Sequence, residues 1–206
     1  MKIPIIDCDQ TLYINPRLME TYRDRIREYL FKVLNMPKED CLRLQRSYWE
    51  QYGTTLAGLI RHNDVDPLHY LEYIHDVDIT NYVYPNPALA KKLGELKRGF
   101  VVMSNAPRKH VVEVLDRIGI AFSDNDIFGI EDYNYNGKPF ENSYRHVLTV
   151  RNIKPQEGVM FDDDPKNLEG ARRVGLSTCL VGRANTTNGF DYSIDDMMDM
   201  DIAINE

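Results

Sequence analysis

The chain has 206 residues, 43% of them hydrophobic and 28% charged, proportions that exclude a disordered or fibrous protein. With 25 basic and 32 acidic residues the net charge is −7, which disfavours a nucleic-acid partner or an anionic membrane surface, so an anionic substrate would need locally placed positive charge. Cys8, Cys41 and Cys179 are odd in number, far apart and without CxxC spacing, so neither a disulfide framework nor a zinc site is indicated and a reducing compartment is expected.

The opening MKIPIID carries an aspartate too early for a signal peptide, and no apolar run is long enough to span a bilayer; the expectation is a soluble, cytoplasmic protein with no membrane partner. Asn185-Thr186-Thr187 matches a glycosylation acceptor pattern, read as coincidence in a chain without a secretory signal. The length suits one α/β core, or a core with a small accessory domain.

Ile3, Ile5 and Ile6 read as a short buried strand that ends on Asp7 and Asp9. If the backbone stays extended, the two carboxylates face one point and Cys8 faces away. Such a pair needs a metal ion or a shared proton to compensate it.

Asn15-Pro16 then caps a helix carrying Leu18, Tyr22, Ile26, Tyr29, Leu30 and Val33 at three- and four-residue spacing. A second helix is expected from about Lys38 to Tyr52 on Leu42, Leu44, Tyr48 and Trp49, closed by Gly53. Thr54 or Thr55 caps a third, and Asp66-Pro67 opens a fourth with Leu68, Leu71 and Ile74 on its buried side. Nothing from Arg17 to His75 reads as a strand, so a helical insertion, too long for a simple crossover, follows the first strand.

From Tyr84 the pattern alternates. Asn86-Pro87 starts a helix through Leu89, Leu93 and Leu96; Phe100 to Met103 is a strand ending on Ser104-Asn105; Pro107 restarts a helix that Gly119 stops. A short strand around Ile127 to Ile130, the turn-rich NYNGKP from Asn134 to Pro139, a helix over Phe140 to Leu148 and a strand from Gly158 to Phe161 follow. That strand runs into Asp162-Asp163-Asp164; a helix from Pro165 to Val174 and a strand from Ser177 to Val181 close the pattern. The acidic tail from Asp191 to Glu206 fits a last strand and short helix or a frayed end. Strand and helix in alternation imply a parallel sheet covered by helices on both faces.

In such a fold ligands collect at the carboxyl ends of the strands, where Asp7, Asp9, Ser104, Asn105, Asp162 and Asp163 fall, with Lys138 in a loop placed to reach the same edge. Clustered carboxylates suit Mg²⁺. The metal and Lys138 would neutralise a phosphate monoester, Ser104 and Asn105 would donate to its oxygens, one aspartate would attack phosphorus, and the other would carry the proton. Taken singly these segments read as helix caps and a surface turn.

In this order, DCDQT (Asp7 to Thr11), SN (Ser104, Asn105), GKP (Gly137 to Pro139) and FDDDPKN (Phe161 to Asn167) resemble the motifs of the haloacid dehalogenase (HAD) superfamily. The resemblance implies an α/β, Rossmann-like core with a parallel sheet flanked by helices (1–14 and 84–206) and a helical cap domain (15–83) inserted after the first strand. It further implies Asp7 as nucleophile, Asp9 as acid/base giving its backbone carbonyl to Mg²⁺, Asp162 and Asp163 completing the metal shell with Asp163 the direct ligand, and Thr11, Ser104 and Lys138 on the phosphoryl group. Asp9 argues against the superfamily's dehalogenases, which lack the second aspartate. DxDxTLY at Asp7 to Tyr13, YGTTLAGLIRHNDVDPLHYLEY at Tyr52 to Tyr73 and SNAPRKHVVEVLDRIGI at Ser104 to Ile120 are similar to the pyrimidine 5′-nucleotidase family, with Gln10 in place of asparagine and Asp164 in place of serine.

The expected function is therefore Mg²⁺-dependent hydrolysis of small phosphate monoesters, pyrimidine 5′-monophosphates foremost. A sugar-phosphate phosphatase or phosphomutase, and a non-catalytic phospholigand-binding module, are the alternatives. Tyr52, Thr54, Thr55, Arg61 and His62 are the cap's candidates for substrate contact, each with a competing reading as a helix terminus or solvated face. His69, His75, His110 and His146, on predicted helices without ligand spacing, read as structural.

Overall fold

In the computed structural model, which describes residues 1–182 and 189–205, the chain divides into two units, Met1–Ile14 with Val83–Glu206, and Asn15–Tyr82. The Asn185-Thr186-Thr187 triplet and the last residue of the acidic tail lie outside the described residues.

The first unit is built on six strands, β1 (Ile3–Ile6), β2 (Val101–Met103), β3 (Ile127–Phe128), β4 (Gly158–Asp162), β5 (Ser177–Val181) and β6 (Tyr192–Ile194), in the order β3-β2-β1-β4-β5-β6. Each neighbouring pair is parallel, with Ile6 opposite both Val102 and Phe161. Strands buried on both faces read as continuous apolar runs, and β1, β2 and β4 are buried throughout. The order reverses between β1 and β4, and such a switch point opens a crevice at the strands' carboxyl ends. Asp7 is the residue just past β1, its amide continuing the ladder to Phe161 O at 2.9 Å, and Asp162 is the last residue of β4.

The helices of this unit bury one stripe each. They are α5 (Pro87–Gly94) with Leu89 and Leu93, α6 (Arg108–Ile118) with Val111, Val114, Leu115 and Ile118, α7 (Glu141–Val150) with Tyr144, Val147 and Leu148, and α8 (Pro165–Arg173) with Leu168 and Ala171. Ile130 belongs to a 3-10 turn over Ile130–Tyr133 rather than to β3. The tail resolves as β6 and a short helix, α9 (Asp201–Ile204).

The second unit is all helical: α1 (Pro16–Lys32), α2 (Lys38–Tyr52), α3 (Thr55–Asn63) and α4 (Pro67–His75). Asn15, Thr54 and Asp66 accept backbone N–H groups as side-chain caps, and Gly53 ends α2 at φ 76°, where a side chain would be strained. Tyr29 anchors the core, with the rings of Tyr70 and Tyr73 set edge-on at 5.1 and 5.3 Å. Two expected apolar faces are corrected. Leu68 stands outside because α4 buries Tyr70, Leu71 and Ile74 instead. Leu42 and Trp49 are exposed because α2 turns Cys41 and Gln45 inward, Gln45 bonding Arg23 O at 3.3 Å. Among the described residues no helix is long and apolar enough to cross a membrane.

Candidate active site

Lys138 is the centre of the site. Its side chain is 1% exposed, and its ammonium donates to Asp7 Oδ1 and Asp162 Oδ2, both at 2.6 Å. An unpaired buried ammonium would cost several kcal/mol; two carboxylates at contact distance offset that. Burial alone would lower the lysine's pKa, but Asp162 and Asp7 outweigh it and raise it, so Lys138 is cationic.

The loop that delivers Lys138 is held by Asn105. The Asn105 amide donates to Lys138 O at 2.9 Å and accepts from Lys138 N at 2.8 Å. Gly137 must be glycine here, because a Cβ would overlap Asn105 Oδ1. One Nδ2 hydrogen and the Oδ1 of Asn105 are engaged with the Lys138 backbone, and the amide has a second N–H. Ser104 is buried, its hydroxyl oxygen accepting from Ala106 N at 3.0 Å while the O–H remains a donor.

Asp162 is wholly buried and heavily engaged. Beyond Lys138 it accepts from Asp164 N at 2.9 Å and from Asn167 Nδ2 at 3.0 and 3.1 Å. Asp163, next in the chain, is only partly buried, and Asp164 caps α8 through Lys166 N at 2.9 Å, a task serine performs equally well. Carboxylate oxygens of Asp7, Asp162 and Asp163 lie within 4.8 Å of one another.

Three carboxylates against one ammonium leave this cluster short of positive charge. Burial, opposed by Lys138 and reinforced by Asp162 and Asp163, raises the Asp7 pKa well above its ordinary value. Asp163 is raised to about 7 by burial and then by the Asp162 charge. Clustered oxygen donors with excess negative charge are the donor set a hard divalent cation takes.

The expectation that Asp7 and Asp9 face one point also needs correction. The chain does not stay extended: Gln10 turns into the left-handed region at φ 65°, and Leu12 N bonds back to Cys8 O at 3.0 Å. Asp7 keeps Lys138 and, at 3.3 Å, the Thr11 hydroxyl. The Asp9 carboxylate instead meets Tyr13 and His110, and its oxygen clusters within 4.8 Å of Cys8 Sγ and a His110 ring nitrogen. The Asp9 side chain is therefore not part of the three-carboxylate group.

His110, Tyr13 and Asn167 are the participants that spacing did not reveal. His110 was expected to be structural; it is 2% exposed with Nε2 2.8 Å from Asp9 Oδ1. Burial would lower its pKa, yet the charge and hydrogen bond of Asp9, with Glu113, raise it. A signal was available. A helix entered directly from the end of β2 must start at the sheet's carboxyl edge, so its first turn, which includes His110, lies among the strand-end aspartates.

In the helical unit, Tyr52, Arg61 and His62 come together: Tyr52 Oη and His62 Nε2 are 2.7 Å apart, and the Arg61 guanidinium lies 4.9 Å from the Tyr52 ring centre. Thr54 and Thr55 leave that group. Thr54 accepts Ala57 N at 3.1 Å as the cap of α3, and Thr55 is buried, donating to Gln45 O at 3.3 Å.

A curated relative, phosphate metabolism protein 8 of Saccharomyces cerevisiae, is 26% identical over 196 residues, 85% of this chain. The chain spans 60% of that relative's length. A hydrolase from Pseudomonas syringae superposes with a TM-score of 0.71 at 16% identity, covering 99% of this chain and 97% of that one. The HAD-hydrolase YfnB from Bacillus subtilis, in a structure bound to magnesium, superposes at 0.62 with 15% identity, covering 100% and 99%. At these identities the structures speak for the fold alone. The haloacid dehalogenase-like hydrolase model matches residues 1–175, and the chain belongs to that family of hydrolases.

Proposed function

We propose that this hydrolase is a Mg²⁺-dependent phosphatase of small phosphate monoesters, nucleoside (pyrimidine) 5′-monophosphates foremost, working through an aspartyl-phosphate on Asp7. The observation that carries this reading is the separation of the two aspartates. Asp7 is clamped by Lys138 among carboxylates, whereas Asp9 sits on neutral-capable donors, Tyr13 and His110. One carboxylate is set up to attack and the other to carry a proton, a division of labour produced by environment.

Asp7 attacks phosphorus as the bond from phosphorus to the leaving oxygen breaks, and Asp9 gives its proton to that oxygen. Water then attacks the phosphoryl group, its proton passing to Asp9, and the Asp7–phosphorus bond breaks. Thr11, Ser104 and Lys138 bind the phosphoryl oxygens, and Asp162 fixes Lys138. Asp7, Asp163 and the Asp9 backbone carbonyl would hold Mg²⁺, with Asp162 completing the shell. When bound, the ion supplies charge neutralisation for the substrate and for the carboxylate excess. The helical unit is read as the substrate-selecting cap, with Tyr52, Arg61 and His62 as its selecting group.

The test is hydrolysis of UMP and CMP against AMP, GMP and common sugar phosphates, with and without Mg²⁺, alongside Asp7→Asn. Mg²⁺-dependent phosphate release abolished in Asp7→Asn is expected. No release from any substrate, or full activity in Asp7→Asn, would falsify the reading.

A further inference from the structure

We propose that His110 is a positioning residue for proton transfer: together with Tyr13 it holds one oxygen of Asp9, Oδ1, so that the other, Oδ2, carries the proton delivered to the leaving group. This deepens the phosphatase reading and rests on it.

The argument starts from the two donors. His110 Nε2 is 2.8 Å from Asp9 Oδ1, and the Tyr13 hydroxyl donates to the same oxygen. An ionised carboxylate only accepts, so the imidazole nitrogen facing it bears hydrogen. In that ionised state Oδ1 already accepts from both donors, so a proton taken up from water adds at the other oxygen and Oδ1 becomes the carbonyl oxygen of the acid. The proton then resides on Oδ2. Two donors on one oxygen also fix the rotation of the carboxyl group, which otherwise turns through a broad, two-fold torsion.

The donor itself is built to stay put. His110 is in the first turn of α6 and only 2% exposed. That turn is anchored: Arg108 N donates to Glu131 Oε2 at 3.1 Å, and the Arg108 guanidinium binds Ile127 O and Asp124 O. Upstream, Ala106 N is tied to Ser104 Oγ at 3.0 Å. The imidazole therefore meets Asp9 from a rigid helix rather than from a loop, and a fixed donor preserves reactive geometry where a 1 Å drift costs about 10²-fold in rate. In the transfer step the phosphorus–oxygen bond breaks, its electron pair goes to the leaving oxygen, and that oxygen takes the proton from Oδ2. His110 neither gains nor loses a proton.

A residue that acts only on this proton matters most when the leaving group is a poor one. Uridine leaving from UMP needs protonation, whereas p-nitrophenolate leaves without it. The experiment is single-turnover release of uridine from UMP and of p-nitrophenol from p-nitrophenyl phosphate by wild type, His110→Leu, His110→Gln and His110→Asn, with thermal unfolding of each. Single turnover isolates the first step from hydrolysis of the aspartyl-phosphate. Expected is a loss of about 10- to 100-fold on UMP in His110→Leu, with under about 3-fold on the nitrophenyl ester and unchanged KM. His110→Gln, whose amide nitrogen reaches the Nε2 position, recovers most of the rate, and His110→Asn, which falls short, does not. Should His110→Leu fail to fold, the Gln and Asn pair decides by itself. A wild type that releases phosphate from none of the nucleotides, the sugar phosphates or the nitrophenyl ester defeats the phosphatase reading. An active wild type whose variants lose nothing, or lose equally on both esters, or in which Asn matches Gln, overturns the role of His110.

Discussion

Asn105 and Lys138 form a reciprocal amide pair: the asparagine donates to Lys138 O at 2.9 Å and accepts from Lys138 N at 2.8 Å. Both backbone groups of the lysine are thereby satisfied by one side chain from the end of β2. The ammonium at the other end of Lys138 is fixed between Asp7 and Asp162, so the loop residue is held at both extremities.

Asn105→Ala should therefore act through Lys138. It leaves the N–H and C=O of that residue without partners, a loss of about 1–3 kcal/mol each where water cannot replace them. Gly137→Ala should give a similar phenotype, since its Cβ would push Asn105 out. Denaturant midpoints and the rate of phosphate release measure the two consequences together. Wild-type stability in both variants would show that the pair does not hold the loop.

Removing the charge is more damaging than displacing it. Lys138→Met leaves Asp7 and Asp162 facing each other in a buried site, and breaking such a pair typically costs about 3–5 kcal/mol. The penalty should be larger near pH 8 than near pH 5, because burial already raises the Asp7 pKa and a proton on Asp7, held more readily at the lower pH, relieves its repulsion with Asp162. Urea unfolding at the two pH values tests this; an equal penalty at both would contradict it.

The same carboxylates predict how Mg²⁺ affects stability. Asp163 is raised to about 7 and Asp7 is raised also, whereas an unfolded aspartate titrates near about 3.9. Between those values the unfolded chain has released protons that the folded chain retains, so stability falls as pH rises through this window and the loss is complete above the folded pKa. A cation that binds the ionised cluster counters this. The metal-free protein should melt lower near pH 8 than near pH 5, and Mg²⁺ should raise the Tm more at the higher pH. A pH-independent Mg²⁺ shift would argue that the ion binds elsewhere.

Local chemistry explains what was legible in the sequence. Asn15-Pro16, Asp66-Pro67 and Asn86-Pro87 pair a side-chain cap with a ring suited to the first turn, and each begins a helix where expected. β1 and β4 are apolar runs cut off by aspartates, so their ends, and with them Asp7 and Asp162, could be placed. What could not be read depends on long-range register. Leu42, Trp49 and Leu68 have the right spacing but the wrong phase, because Gln45 and Tyr70 claim the buried faces through partners distant in sequence. His110 and Asp9 are 101 residues apart, and only the adjacency of β1 and β2 brings them together. The turn at Gln10 broke the assumption of an extended chain, which separated Asp9 from Asp7.

Gln10 itself offers a stabilising change. It sits at φ 65° and its amide nitrogen is buried without a hydrogen-bond partner. The left-handed region costs about 1–2 kcal/mol for most side chains, and asparagine tolerates it better. Gln10→Asn should raise stability by about 1 kcal/mol without lowering the rate, since the side-chain nitrogen bonds to none of the site's groups. A calorimetric melt settles the first half of this prediction; a lower Tm would mean that the packing lost with the longer side chain outweighs the backbone relief.

The helical unit makes the last prediction. Tyr52, Arg61 and His62 are partly or largely exposed, linked by a 2.7 Å contact and a guanidinium 4.9 Å from the ring centre, with Tyr48 stacked on His62 at 5.5 Å. An exposed cation–π contact adds about 0.5–1 kcal/mol, and surface substitutions outside such features stay within about 0.5 kcal/mol. An ordered group of aromatic rings and a cation on a surface gives the fold little, but it suits the flat ring of a base. If the group selects substrate, Tyr52→Ala should raise KM for UMP about tenfold, equivalent to about 1.4 kcal/mol, while hydrolysis of p-nitrophenyl phosphate and the Tm hardly change. That split separates recognition from chemistry, because a base contact remote from phosphorus contributes to binding in the ground and transition states alike. Equal losses on both esters would point instead to disturbed folding of α2 and α3, and no change on either would remove Tyr52 from substrate recognition.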